Sequence, residues 1–260
     1  MHDKIESGKT KPPNRQGWAM TLKRSLPRGV SRPVTRLYNA VLGVVPYQLK
    51  YGLGGLVRRH RPPYSVIDDG DLVVQVGAPR DILKSGRSRA VYFARRVGSG
   101  KAIIIEPDPE SMGALRSYVA KHGLASSVWL CEKGAWKSKD RLTFVSNSEH
   151  PASNRLDVIS ADEAGTFEAD RSARIAVDVD SIDSIVRAAG FGTPKLISIT
   201  TNGAEIPILE GMAELRAKGI PYISLAPPKA GLIAFMEGIG YTCISRDDRG
   251  FFFKRSGSEG

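Results

Sequence analysis

From residue 71 onward, short apolar runs alternate with segments whose apolar residues recur at helical spacing, and few folds accommodate that order. Leu72–Val76 reads as a buried strand, Ser88–Val97 as a helix and Ala102–Glu106 as a second strand. Asp108–His122 reads as a helix and Ser127–Cys131 as a third strand, after which comes an irregular middle. Beyond it follow Ile182–Ala189 (helix), Leu196–Thr200 (strand), Ala204–Lys218 (helix), Tyr222–Ala226 (strand) and Lys229–Ile239 (helix). Tyr241–Ser245 and Gly250–Lys254 close the chain as an antiparallel hairpin. Strands joined through helices pair in parallel, and the helices cover both faces of the sheet. The expectation is an α/β fold with a mostly parallel, seven-stranded sheet.

Charge divides the chain before that point. Residues 1–63 hold 13 of the 38 Lys/Arg and only Asp3 and Glu6 of the 27 acids, so the net +11 lies entirely there. Residues 64–260 are neutral, which argues against a basic nucleic-acid channel across the α/β body. Residues 1–17 are polar and contain Pro12-Pro13, the composition of a disordered tail. Residues 18–63 form a basic helical arm. Val34, Leu37, Tyr38, Val41, Leu42 and Val45 follow helical spacing, Pro46 interrupts, and a second apolar run ends in Arg58-Arg59-His60-Arg61 before Pro62-Pro63. Residues 64–260 make the third segment, the α/β domain.

No run approaches the roughly 20 apolar residues of a membrane span. The opening Met1-His2-Asp3-Lys4 leads into no apolar signal core, and Cys131 and Cys243 are too few for a disulfide framework, so a cytoplasmic protein is expected. His2, His60, His122 and His150 are scattered and suggest no metal site.

Sheets of this kind bind nucleotides at the carboxyl ends of their first strands. Gly77 follows the first strand, where a missing Cβ lets backbone approach a ligand. Glu106 ends the second, placed to accept hydrogen bonds from both hydroxyls of a ribose, and an acid ending a buried strand is hard to explain otherwise. The two are 29 residues apart, against about 20 in the dinucleotide fingerprint. The turn also lacks that fingerprint's three glycines, which disfavours an NAD-dependent oxidoreductase. Other acids have structural readings. Asp108-Pro109 looks like a helix N-cap followed by Pro at N1, and Asn202 and Glu205 stand at capping-box spacing. Trp129 and Trp136 read as core.

Several segments in order resemble one family. Val74-Gln75-Val76-Gly77-Ala78, Ile105-Glu106-Pro107-Asp108-Pro109, Gly134-Ala135-Trp136, Ser181-Ile182-Asp183-Ser184-Ile185, Gly203-Ala204-Glu205 and Leu209-Glu210-Gly211 look like FkbM-family methyltransferases over roughly residues 70–245. The resemblance implies a Rossmann-like class I methyltransferase fold, S-adenosyl-L-methionine as cofactor, and O-methylation of a sugar, glycan or related natural product. It places Gln75, Gly77, Ala78, Asp81, Glu106, Pro107, Asp108 and Gly134 at the cofactor, and Thr200, Asn202 and Glu205 at the reacting centre. Asp178, Asp180 and Asp183 are further candidate acids. The chain departs from the family pattern at four of these positions. Gln75 stands where the first turn usually has Asp, and Asp81 where it has Gly. The family's Asp-Val-Glu-Gly-Ala-Glu reads here as Thr200-Thr201-Asn202-Gly203-Ala204-Glu205, so two of three acids are neutral. An active methyltransferase and a non-catalytic, cofactor-binding relative therefore both stand as readings.

The arm over residues 18–61 also has two readings. Docking on an anionic membrane surface would use both its charge and its apolar stripe. Packing of that stripe against the sheet would leave the arginines solvated. Nucleic acid is a weaker partner, since no RNA-binding module appears.

Overall fold

The computed structural model describes residues 45–159, 172–226, 231–247 and 250–257. The tail expected over 1–17 and most of the arm lie outside these.

The main sheet has seven strands: β1 (Leu72–Val76), β2 (Lys101–Ile105), β3 (Val128–Cys131), β8 (Leu196–Ile199), β9 (Tyr222–Leu225), β10 (Tyr241–Asp247) and β11 (Gly250–Arg255), where β4 to β7 belong to a second sheet. Their order is β10-β11-β9-β8-β1-β2-β3. β3, β2, β1, β8 and β9 are parallel neighbours, and β11 is antiparallel to both β9 and β10. Alternate residues of each strand enter different cores. Val74, Val76, Ile103, Ile105, Ile197 and Ile199 face one layer, while Val73, Ala102, Ile104 and Leu196 face the other. Burial on both sides is why these strands read as unbroken apolar runs.

One layer contains α1 (Tyr47–Arg58), α2 (Arg80–Lys84), α3 (Arg89–Arg96) and α4 (Pro109–Lys121). The other contains α5 (Ile182–Ala189), α6 (Glu205–Glu210), α7 (Ala213–Lys218) and α8 (Leu232–Gly238). Within the arm, Tyr51 of α1 is buried, packs edge-on against Tyr92 and Tyr118, and donates its hydroxyl hydrogen to the Leu83 carbonyl at 3.0 Å. No described helix is long and apolar enough to cross a membrane.

Three expectations are corrected. The irregular middle is a four-stranded sheet ordered β4-β7-β5-β6, from β4 (Gly134–Ala135), β5 (Asp140–Asn147), β6 (Arg155–Leu156) and β7 (Ser172–Asp180). The helix expected over Ala204–Lys218 breaks between α6 and α7, because Gly211 abuts the backbone of Trp136 and Lys137. A Cβ at 211 would collide with the Trp136 carbonyl oxygen. Finally, Asn202 and Glu205 form no capping box. The N-cap of α6 is Ala204, Glu205 accepts the Thr201 hydroxyl at 2.9 Å, and Asn202 turns to another loop.

Candidate active site

The chain leaves β1 toward β2 and β3 on one side and returns to β8 and β9 on the other. The order thus reverses at β1, and a crevice opens at the carboxyl ends of these strands. A cleft of about 570 Å³ lies there. Its floor is Val76 at the end of β1 with Gly77 and Pro79 beyond it, Glu106 and Pro107 after β2, and Thr200, Thr201 and Asn202 after β8. The second sheet covers it with Gly134, Phe144, Arg155 and Leu156, joined by the Pro151–Ser153 turn and Asn154.

Gly77 has φ +85°, and a Cβ there would lie 2.6 Å from the Thr200 carbonyl oxygen. The turn therefore needs glycine both for its conformation and for the contact between the β1 and β8 ends. Gln75, behind the wall, and Thr200, on it, organise that contact. Gln75 Nε2 approaches the Val76 and Gly77 carbonyls at 2.8 Å each and Thr200 Oγ1 at 2.7 Å. Thr200 Oγ1 in turn donates to the Val76 carbonyl at 2.9 Å.

Glu106 is 4% exposed and accepts the amide hydrogens of Ala78 at 2.6 Å and Asp108 at 3.0 Å. Burial pushes its carboxyl up to about 7, against the two amide bonds, and the nearby Asp108 and Asp81 add to the rise. Two backbone donors leave a carboxylate further acceptor sites, and Glu106 lies on the cleft wall. Asp108 is the N-cap of α4, accepting from the Ser111 amide and from Ser146 Oγ of β5, both at 3.0 Å. It fastens the second sheet to the first.

Of the residues singled out in the sequence, the cleft wall brings together Gly77, Glu106, Pro107, Gly134, Thr200 and Asn202. Gln75, Ala78 and Asp108 support the wall through the bonds just described. Asp81 lies in the first turn of α2 with Oδ1 accepting from the Ile82 amide, and neither it nor Glu205 lines the cleft. Asp180 pairs with Lys133 at 3.1 Å, and Asp183 accepts the Glu214 and Leu215 amides at the start of α7. Asp178 is exposed. Glu106 is therefore the one carboxylate among the described residues lining the cleft.

Of the covering residues, Gly134 was singled out in the sequence, whereas Phe144, Asn154, Arg155 and Leu156 were not. Asn202 Nδ2 donates to the carbonyls of Ala152 at 2.9 Å and Asn154 at 2.8 Å, tying the covering turn to β8. Asn154 Oδ1 accepts from the Asn147 amide at 2.7 Å, while its Nδ2 is buried at the cleft with no partner among the described residues. Arg155 is 5% exposed, donates from Nε to the Ile159 carbonyl at 3.1 Å, and also lines the cleft.

The profile of the Methyltransferase FkbM domain matches residues 75–228, more than half of the sequence. The chain belongs to the FkbM methyltransferase family. Every cleft-lining residue falls inside the FkbM segment. No curated protein matches the sequence. Among solved structures, an FkbM methyltransferase from Methylobacillus flagellatus KT is 16% identical, with 81% of this chain and 48% of that one covered, at a TM-score of 0.46. This chain thus spans about half the length of that protein. A putative rRNA methylase from Clostridium thermocellum is 12% identical, covering 79% of this chain and 97% of that one at a TM-score of 0.43. A methyltransferase from Geobacter sulfurreducens is 15% identical, covering 92% and 95% at a TM-score of 0.40.

Proposed function

We propose that this FkbM-family chain is an S-adenosylmethionine-dependent O-methyltransferase acting on a hydroxyl of a sugar, glycan or related natural product. The observation that carries the cofactor assignment is Glu106, a buried carboxylate on the cleft wall at the switch in strand order. Its remaining acceptor sites suit a pair of ribose hydroxyls. The glycine turn at 77 keeps the neighbouring wall free of side chain, and Asn154 Nδ2 is a buried donor that still needs an acceptor.

When bound, S-adenosylmethionine supplies a methyl group already activated on a sulfonium centre. The chain's work is then to hold the acceptor oxygen in line and to keep competing water out. Thr200 and Asn202 hold the β1 turn and the covering turn in place, which makes them positioning residues rather than bases. The acceptor class rests on the family resemblance.

A second reading is a relative that binds cofactor without turning it over. It is favoured by the β8 end, where Thr200 and Asn202 are committed to internal hydrogen bonds and Glu205 lies off the wall. Calorimetric titration with S-adenosylmethionine, S-adenosylhomocysteine and NAD tests what both readings share. Heat is expected with the first two, and its absence well above micromolar concentration would sink both. Glu106→Ala should weaken binding by about 1–3 kcal/mol, and unchanged affinity would remove Glu106 from the site. Release of S-adenosylhomocysteine across a panel of sugar and glycan acceptors separates enzyme from binder.

A further inference from the structure

α1 and α3 line a second cavity, open to solvent and about 630 Å³ with that open space included, on the face of the sheet away from the second sheet. Arg96 Nε donates to the carbonyl of Ile67, just before β1, so this cavity lies toward the amino ends of the strands. The methyltransferase cleft is at their carboxyl ends. Arg58 and Arg59 from the end of α1, with Arg95 and Arg96 from the end of α3, bring four guanidinium groups to it. Tyrosine rings fix two of them. The Arg58 guanidinium lies 5.1 Å from the Tyr92 ring centre, and that of Arg95 lies 5.6 Å from the Tyr51 ring centre while donating to Tyr118 OH.

Two features point to an anionic ligand. Among the described residues, Arg59, Arg95 and Arg96 make no ion pair with a carboxylate; Asp68, which feels the Arg96 charge, is held by Lys195 at 2.8 Å instead, so the three guanidinium charges are left without a bonded counter-ion. The hydroxyl of Tyr64, a residue 6% exposed on the same cavity wall, is buried without a hydrogen-bond partner among the described residues. A native fold seldom leaves such a group unsatisfied unless something supplies the acceptor. Guanidinium forks match phosphate oxygens in paired hydrogen bonds, and a tyrosine hydroxyl adds a neutral donor.

We propose that this cavity is a binding site for a phosphate- or diphosphate-bearing group, independent of the methyl-transfer reading. Free phosphate esters and lipid headgroups share that chemistry. The lipid source draws support from α1 itself. Leu49, Leu53 and Leu56 are 51%, 58% and 56% exposed at i, i+4 and i+7 spacing, on the face turned away from Tyr51. The basic excess of the chain also lies wholly in residues 1–63.

The full chain should be titrated calorimetrically with inorganic pyrophosphate, and sedimented with phosphatidylglycerol and phosphatidylcholine vesicles, all at one fixed salt concentration. Heat with pyrophosphate assigns a free phosphate group. Sedimentation confined to phosphatidylglycerol, without that heat, assigns a lipid headgroup. Either supports the site. Tyr64→Phe should lower the affinity about tenfold while leaving the urea midpoint unchanged or higher, since it deletes only an unsatisfied hydroxyl. Arg95→Ala combined with Arg96→Ala should abolish binding. No response to either probe overturns the proposal. So does binding that survives both sets of substitutions.

Discussion

Gln75 and Thr200, which both replace acids of the FkbM pattern, are hydrogen-bonded to each other, with Nε2 and Oγ1 2.7 Å apart. They meet because β1 and β8 are parallel neighbours whose ends face each other across the Gly77 turn. The amide also approaches the Val76 and Gly77 carbonyls, a contact that a carboxylate, having no hydrogen to give, could not make. The two departures are thus one physical unit. Gln75→Leu and Thr200→Val should each destabilise the chain by about 1–2 kcal/mol. In urea denaturation, the double variant should lose about 1 kcal/mol less than the two singles combined. Strict additivity would show that the pair is not coupled.

Glu106 should make stability depend on pH in a definite direction. Its carboxyl titrates at about 7 in the folded chain, against an ordinary 4.5 when unfolded. Between those values the folded state holds more protons, so stability falls as pH rises through the window, and the loss is complete above about 7. The shift corresponds to about 3 kcal/mol. Urea midpoints from pH 4 to 8 should show this decline, and Glu106→Gln should flatten it. Hydroxyl donors favour the ionised form, so affinity for S-adenosylmethionine should rise through pH 7, again only with Glu106 present.

Gly77→Ala should cost about 2 kcal/mol or more. A φ of +85° alone costs an L-residue about 1–2 kcal/mol, and the new Cβ would press on the Thr200 carbonyl, which cannot swing away as a side chain could. The same wall borders the cleft, so calorimetry should show weakened cofactor binding in whatever fraction remains folded. A variant as stable as the parent would mean that the turn relaxes freely.

The main sheet was legible because β1, β2 and β8 are buried on both faces, which forces continuous apolar runs. Glu106 was legible for a related reason, since a carboxylate stands out at the end of such a run. The second sheet was harder. In β7, Ile175, Val177 and Val179 do alternate with Ala176, Asp178 and Asp180, a strand signal that could have been found. Its partner β5 begins with the exposed Asp140 and Arg141, and blurs the pattern. The break at Gly211 and the role of Asn154 had no local signal. Gly211 is fixed by the Trp136 backbone, and the Asn154 carbonyl by Asn202, contacts that exist only once the two sheets are assembled, while the Asn147 amide holds the Asn154 side chain within the second sheet.

Asp183 illustrates how a candidate acid can be separated from the reaction. It sits in α5, yet its two carboxylate oxygens accept the Glu214 and Leu215 amides of α7 at 2.8 and 3.0 Å. The N-cap of α7, Met212, makes no side-chain cap of its own, so the orphan amides created by the break at Gly211 are satisfied from a neighbouring helix. Asp183→Ala should therefore lower stability by about 1–2 kcal/mol, the usual loss on removing a cap. Asp183→Asn keeps an acceptor oxygen and should recover part of that loss. Both variants should bind S-adenosylmethionine with the parent's affinity and, if the chain turns over, retain its rate at temperatures where they stay folded. A rate that fell in Asp183→Asn while its urea midpoint held would instead place this carboxylate in the chemistry.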